Sequence, residues 1–153
     1  MKTIIVPIEF DESLINKRSV SFSVPGKPFG KQRPKVTTRY GYSRAYTPKK
    51  TVEYENKVRK SYIETNGNSK LDGPISAKIL GVFGVPESIS KKQKKRLIEE
   101  KHHTKKPDCD NIGKSILDAL NEIAYKDDSQ VCKLYVEKIY GEESRTEVIL
   151  EEI

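Results

Sequence analysis

Two aspartates separated by one residue, Asp108 and Asp110, are followed by Lys114 and then, beyond an apolar stretch, by the doublet Asp127-Asp128. In an extended segment residues two apart point the same way, so the Asp108 and Asp110 carboxylates can share a cation while Cys109 points elsewhere. Lys114 lies four residues past Asp110, one helical turn on, which brings its ammonium above the same helix N-terminus. Magnesium prefers hard oxygen ligands and keeps several waters, so two or three carboxylates plus the phosphate oxygens of a substrate complete a site. An ion held there activates a water and neutralises charge on a phosphodiester in the transition state, while Lys114 stabilises the developing oxyanion or positions the nucleophile. Each piece alone has a plain explanation: Asp110 as a helix N-cap, Lys114 as its i,i+4 partner, Asp127-Asp128 as a turn before a strand. The combination is what points to metal-assisted chemistry.

A helix is expected to carry these groups. From Ile112 to Ala124 the apolar residues Ile112, Ile116, Ala119, Leu120 and Ile123 fall at spacings of three and four, with Lys114, Asp118 and Asn121 on the polar side. Such a helix is roughly 20 Å long at 1.5 Å per residue, with Asp108 and Asp110 at its start and Asp128 just past its end. One ion cannot reach both ends. Either the helix is shorter or broken near Gly113, or Asp128 completes a site from a second subunit.

The remaining elements give an α+β order. Ser19 to Val24 alternates as a half-buried strand, and Phe29 to Thr47, with five bases among Tyr40, Tyr42 and Tyr46, reads as an exposed loop or flexible hairpin. Thr47-Pro48 opens a helix with the stripe Val52, Tyr54, Val58, Tyr62 and Ile63. Ile75 to Val85 is a strand after the Asp72-Gly73-Pro74 turn, and Ser90 with Gln93 caps a short basic helix running to about Lys101. Val131 to Tyr140 and Thr146 to Leu150 read as two strands joined at Gly141 in an antiparallel pair. The expected architecture is a single compact domain, a mixed or antiparallel sheet backed by helices.

At 153 residues the chain is one domain's worth. No apolar run approaches the roughly 20 residues of a membrane helix, and the start lacks a cleavage site, so a mature cytoplasmic chain is expected. Two cysteines are too few for a disulfide framework. Adjacent His102-His103 lacks a zinc-site frame and is expected to be exposed, with no ligand role. The net charge of +7 is segregated. Lys27 to Lys60 holds eleven Lys or Arg against two Glu, and Lys91 to Lys106 eight against two, whereas Pro107 to Ile153 has twelve acids against five bases. Basic surfaces flanking an acidic site suit a polyanionic substrate. Lys31, Arg33, Arg39 and Arg44 in the loop and Lys91, Lys92, Lys94, Lys95 and Arg96 in the basic helix are the candidate phosphate contacts. The loop tyrosines can stack on bases or simply pack.

Lys106-Pro107-Asp108-Cys109-Asp110-Asn111-Ile112, Lys114, Leu117-Asp118-Ala119-Leu120-Asn121 and Asp127-Asp128-Ser129-Gln130-Val131 together resemble the signature of the RusA-type Holliday junction resolvases. Gly26-Lys27-Pro28, Gly30-Lys31-Gln32-Arg33-Pro34 and Tyr46-Thr47-Pro48-Lys49-Lys50-Thr51 extend the resemblance from about Ser19 to Leu150, leaving residues 1–18 as an unassigned extension before an endonuclease domain at 19–153. The resemblance implies a compact α+β fold and a homodimeric, magnesium-dependent endodeoxyribonuclease, with manganese able to substitute, that cuts four-way DNA junctions by paired nicks in recombination and repair. It implies essential carboxylates at Asp108, Asp110 and Asp128, an essential lysine at Lys114, and an assisting Asp127. Gly113 stands where a larger residue is usual. Paired nicks call for two equivalent sites, which favours Asp128 reaching the ion across a two-fold axis. A DNA-binding module without catalysis accounts for the bases but needs no separated carboxylates. A magnesium-dependent nucleotide phosphohydrolase accounts for the acids but not for two long basic segments.

Overall fold

The computed structural model describes residues 16–153, so most of the expected 1–18 extension lies outside the described residues. Arg18 already belongs to the fold, its guanidinium 2.9 Å from Glu152 and 3.1 Å from Asp72. Strand β1 (Ser19–Pro25) alternates as expected, with Val20, Phe22 and Val24 buried between exposed serines. Strands β2 (Lys35–Arg39) and β3 (Tyr42–Tyr46) then form a separate two-stranded antiparallel arm. The Tyr40-Gly41 turn of this arm has φ of +53° and +78°. Two consecutive positive φ values are the type I′ pattern whose twist suits a hairpin, and Gly41 adopts its value without steric cost.

Helix α1 (Lys49–Asn66) starts after Pro48 and buries Thr51, Tyr54, Val58, Ser61 and Tyr62. Val52 and Ile63, expected in the stripe, are exposed. At 3.6 residues per turn they fall on the opposite side from Tyr54, Val58 and Tyr62. Strand β4 (Ile75–Gly84) follows, then α2 (Lys91–Glu100) with the expected Ser90–Gln93 capping box, α3 (Cys109–Ala119), a single 3-10 turn at Asp128–Gln130, and strands β5 (Val131–Gly141) and β6 (Arg145–Glu152).

The larger sheet has the order β1-β6-β4-β5, with β4 and β5 parallel and the other pairs antiparallel. The expected β5–β6 pair therefore does not form, because β4 lies between them. The Glu142–Ser144 connection carries the chain over the end of β4, where Ser144 Oγ accepts from the Gly84 N–H at 2.8 Å and the Ser144 carbonyl from Gly26 at 3.2 Å. Burial explains the order. The β4 residues Ile75, Ala77, Ile79, Val82 and Phe83 are all buried and need strands on both sides, whereas β5, after half-buried Val131, is exposed from Cys132 to Tyr135, which suits an edge.

Helices α1 and α3 cover one face of this sheet, and Phe22 meets Tyr62 edge to face at 5.3 Å. The opposite face carries Lys78 between its register partners Tyr135 and Ile149, all exposed. Among the described residues the chain is thus a single compact α+β domain with three helices, a mixed four-stranded sheet and a small second sheet. No described helix is long and apolar enough to cross a membrane.

Helix α3 spans Cys109–Ala119, not Ile112 to Ala124. It starts earlier because Asp108 is its N-cap, and it stops at Leu120, after which the chain folds back through a turn in which Glu122 has φ +64°. Gly113 is explained by packing. A Cβ there would stand 3.2 Å from Val136 Cγ2 and 3.5 Å from Leu134 Cδ2, so glycine lets α3 lie close on β5. That approach offsets a helix-propensity cost of about 1 kcal/mol relative to alanine.

Candidate active site

Helix α3 presents the candidate groups in a row. Asp110, Lys114 and Asp118 are spaced four apart and follow one another along one side. Asp108 holds the N-cap position without a side-chain cap hydrogen bond, so its carboxylate is not consumed in capping, and it pairs instead with Lys106 Nζ at 2.9 Å. The structure thus gives the cap position to Asp108 and the first turn to Asp110. Lys114, 63% exposed, is 3.6 Å from Asp118 Oδ2, so its ion partner is the next acid along the helix rather than Asp110.

The doublet reaches the same helix from its other end. Buried Tyr125 donates its hydroxyl to the Leu117 carbonyl at 2.6 Å, and the Asp128 N–H donates to Asn121 Oδ1 at 2.8 Å. These bonds bring the segment after α3 back against its last turn. The two aspartates then serve differently. Asp127 caps the 3-10 turn, accepting from the Ser129 hydroxyl and backbone, and the Ser129 hydroxyl bond holds its carboxyl below the usual range. Asp128 faces Asp118. Partial burial first, then the charges of Asp118 and Asp127 and a hydrogen bond to Asp118, raise its carboxyl above the ordinary value, against the opposing pull of Lys114.

Asp118, expected on the polar side of the helix but given no site role by sequence, is i+4 from Lys114 and i+8 from Asp110, the spacing that carries the signal. It is 17% exposed and is held by Lys31, whose ammonium also meets Glu55 Oε1 at 3.2 Å. Arg59 extends the network, with Nη2 3.5 Å from Glu55 Oε2 and Nε donating to the Ala119 carbonyl at 2.9 Å. An arginine at that carbonyl also complements the negative end of α3.

Oxygen donors in a like-charged pair, Asp118 beside Asp128, are what a hard dication relieves, and the donor chemistry fits a divalent ion of that class. Among the described residues, however, no three His, Cys, Asp or Glu side chains converge to hold an ion. Asp110 and Asp118 are eight residues apart, about 12 Å along the axis. The shortening of α3 therefore brings Asp128 to Asp118 and Lys114 but leaves Asp108 and Asp110 at the far end.

The basic groups divide between two surfaces and the interior. On the arm, register pairs Lys35 with Tyr46, Thr37 with Arg44 and Arg39 with Tyr42. Cross-strand partners share a face, so one face of the ribbon carries three cations and two tyrosines while the other carries Val36, Thr38, Ser43 and Ala45. Tyr40 and Tyr42 are 91% and 81% exposed, which excludes core packing. Lys35 was missed by the sequence reading, and the strand alternation is the signal that places it with Arg39 and Arg44. Arg33 is exposed at the root of the arm. Lys31 is instead engaged by Glu55 and Asp118. On α2, Lys95 and Arg96 pair with Glu99 and Glu100 at 3.9 and 2.8 Å, and Lys91, Lys92 and Lys94 make no ion pair among the described residues.

His102 is exposed, but His103 is only 8% exposed, contrary to the expectation for both. Its ring stacks on Phe83 at 3.8 Å between centroids, with Tyr140 at 5.0 Å. A backbone bridge from His102 to Ile139 and the bond from His103 N–H to the Lys138 carbonyl press this segment against β5.

Over 137 residues the chain is 36% identical to a Bacillus subtilis (strain 168) protein named "Uncharacterized protein YqaN", an alignment covering 88% of this chain and 96% of that one. The profile of the family described as Endodeoxyribonuclease RusA matches residues 25–151, a span that takes in the arm, all of α3 with its acidic row, and the Asp127-Asp128 turn. The acids and Lys114 thus lie within a chain that belongs to the RusA endodeoxyribonuclease family, the Holliday junction resolvases, which hydrolyse phosphodiester bonds.

Proposed function

We propose that the protein is a magnesium-dependent, homodimeric resolvase that cuts four-way DNA junctions by paired nicks in recombination and repair. The observation that carries this reading is the acidic row of α3 with Lys114 in its middle, set beside a projecting arm whose one face is cationic and aromatic. The catalytic unit is residues 19–153. Asp108, Asp110 and Asp128 would hold the ion, with Asp127 assisting by fixing the turn that aims Asp128. Magnesium held there, or manganese in its place, supplies water activation and charge neutralisation at the phosphodiester. Lys114, exposed and one helical turn from an acid on either side, stabilises negative charge developing on the phosphoryl oxygens. Arg33, Lys35, Arg39 and Arg44 bind backbone phosphates and orient the junction, with Lys91, Lys92 and Lys94 as a second contact surface. Because α3 separates Asp110 from Asp128, the complete carboxylate set is best supplied by two subunits.

The test is cleavage of a synthetic four-way junction with magnesium and with EDTA, beside linear duplex and a free nucleotide. Symmetric nicks in the junction only, abolished by EDTA, are expected. Retention of the junction without cleavage would make the protein a binding module, and release of phosphate from the nucleotide a phosphohydrolase.

A further inference from the structure

Lys31 stands in the basic loop, where its sequence context marks it as a phosphate contact, yet it is turned inward onto two acids. Four contacts fix its segment along α3. The Lys31 N–H donates to the Asn111 carbonyl at 3.1 Å, and Ser115 Oγ donates to the Phe29 carbonyl at 2.8 Å. A Cβ on Gly30 would come within 2.6 Å of Pro107 Cβ, so the backbone there lies against the segment entering the helix. The Lys31 ammonium closes the series on Asp118, with Glu55 of α1 as its second acid. Lys31 is four residues before Lys35, the first residue of the arm. The root of the DNA-facing arm is therefore bonded to the acidic helix from Asn111 to Asp118.

Asp118 has two cations within reach, Lys31 in the closer contact and Lys114 at 3.6 Å. Because Lys31 satisfies this half-buried carboxylate, Lys114 remains only loosely held and mostly exposed. Without Lys31, Asp118 would have Lys114 as its remaining cation and would draw it down along the helix, away from a substrate. An ion pair shielded from solvent on both sides is also more costly to break than a surface pair, because removing one member leaves the other charge poorly solvated.

We propose that Lys31 is a positioning residue: it locks the root of the arm to α3 and neutralises Asp118, so that Lys114 stays free for the scissile phosphate and the arm holds DNA in fixed register with the acids. The inference rests on the nuclease reading above. Its test compares Lys31→Met and Lys31→Arg with the unmodified protein in three measurements: junction affinity as a function of salt in EDTA, single-turnover cleavage with magnesium, and amide hydrogen exchange across residues 29–34. For Lys31→Met, affinity and salt slope should remain unchanged, cleavage should slow at least tenfold, and exchange should quicken at residue 31 and its neighbours. Lys31→Arg should keep the rate within about threefold, because a guanidinium can span the same two carboxylates. A salt slope lowered by roughly one would make Lys31 a phosphate contact and overturn the proposal. So would an unchanged cleavage rate in Lys31→Met. If the unmodified protein cleaves no junction, the nuclease reading fails by itself, and unchanged exchange in Lys31→Met then overturns the anchor independently.

Discussion

Asp108, Asp110 and Asp128 keep their size and polarity but lose the charge proposed to hold the ion when each is replaced by asparagine. Junction cleavage should collapse in all three variants, while gel-shift affinity persists or tightens as repulsion from DNA is relieved. Full cleavage by all three would remove the metal role from these acids. Lys114→Ala should fold and bind junctions yet cleave about two to three orders of magnitude more slowly, the usual contribution of a group that stabilises an oxyanion. Wild-type turnover would leave Lys114 as no more than the i,i+4 neighbour of Asp118. His103 makes a separate prediction about pH. Burial first, then the charges of Lys138, Lys27 and Lys105, lower its pKa from 6.5, so it is neutral in the folded protein and protonates more readily once unfolded. Stability from this group is complete above about pH 6.5 and declines as pH falls towards the lowered folded value. The urea midpoint should drop between pH 7.5 and pH 5, and His103→Phe should flatten that dependence.

The β2–β3 arm can present a cationic face because its strands alternate and every residue of both strands is exposed. Replacing Arg39 and Arg44 by alanine should weaken junction binding and flatten its salt dependence by roughly one unit of log-log slope for each lost phosphate contact, without affecting thermal stability. An unchanged slope would transfer the DNA contact to α2, where Lys91, Lys92 and Lys94 stand free of internal ion pairs among the described residues. Most elements were legible in sequence because their signals are local. The alternation of β1, the capping box of α2 and the three-four spacing on α3 each need only neighbours along the chain. The end of α3 was not legible, because Ile123 and Ala124 keep the helical spacing and are buried or half-buried by the turn that folds back, not by the helix.

Across the whole molecule, the proposed composite site has the acids at the two ends of α3 meet through a second subunit. An inactive Asp110→Asn protein mixed with an inactive Asp128→Asn protein should regain nicking on one strand after subunit exchange, since one site of the mixed dimer would collect both defects and the other none. If each site lay within one chain, every site would carry a defect, and no activity would return despite demonstrated exchange. The first outcome also predicts that activity falls with dilution below the dimer dissociation constant.

Residue types and their spacing along the chain were enough for the family resemblance and the class of fold. The acids, the lysine and the basic segments are named by type and spacing, and hydrophobic periodicity is a property of each segment alone. Tertiary structure decided what each group is next to. It inserted β4 between β5 and β6, because the most apolar strand needs neighbours on both edges. It buried His103 against Phe83, turned Lys31 inward from the basic loop onto Asp118, and divided Asp127 from Asp128. In each case the deciding partner is distant along the chain, Lys31 and Asp118 being 87 residues apart. Ion pairing and burial depend on distance in space, which local spacing does not encode until the chain has closed on itself.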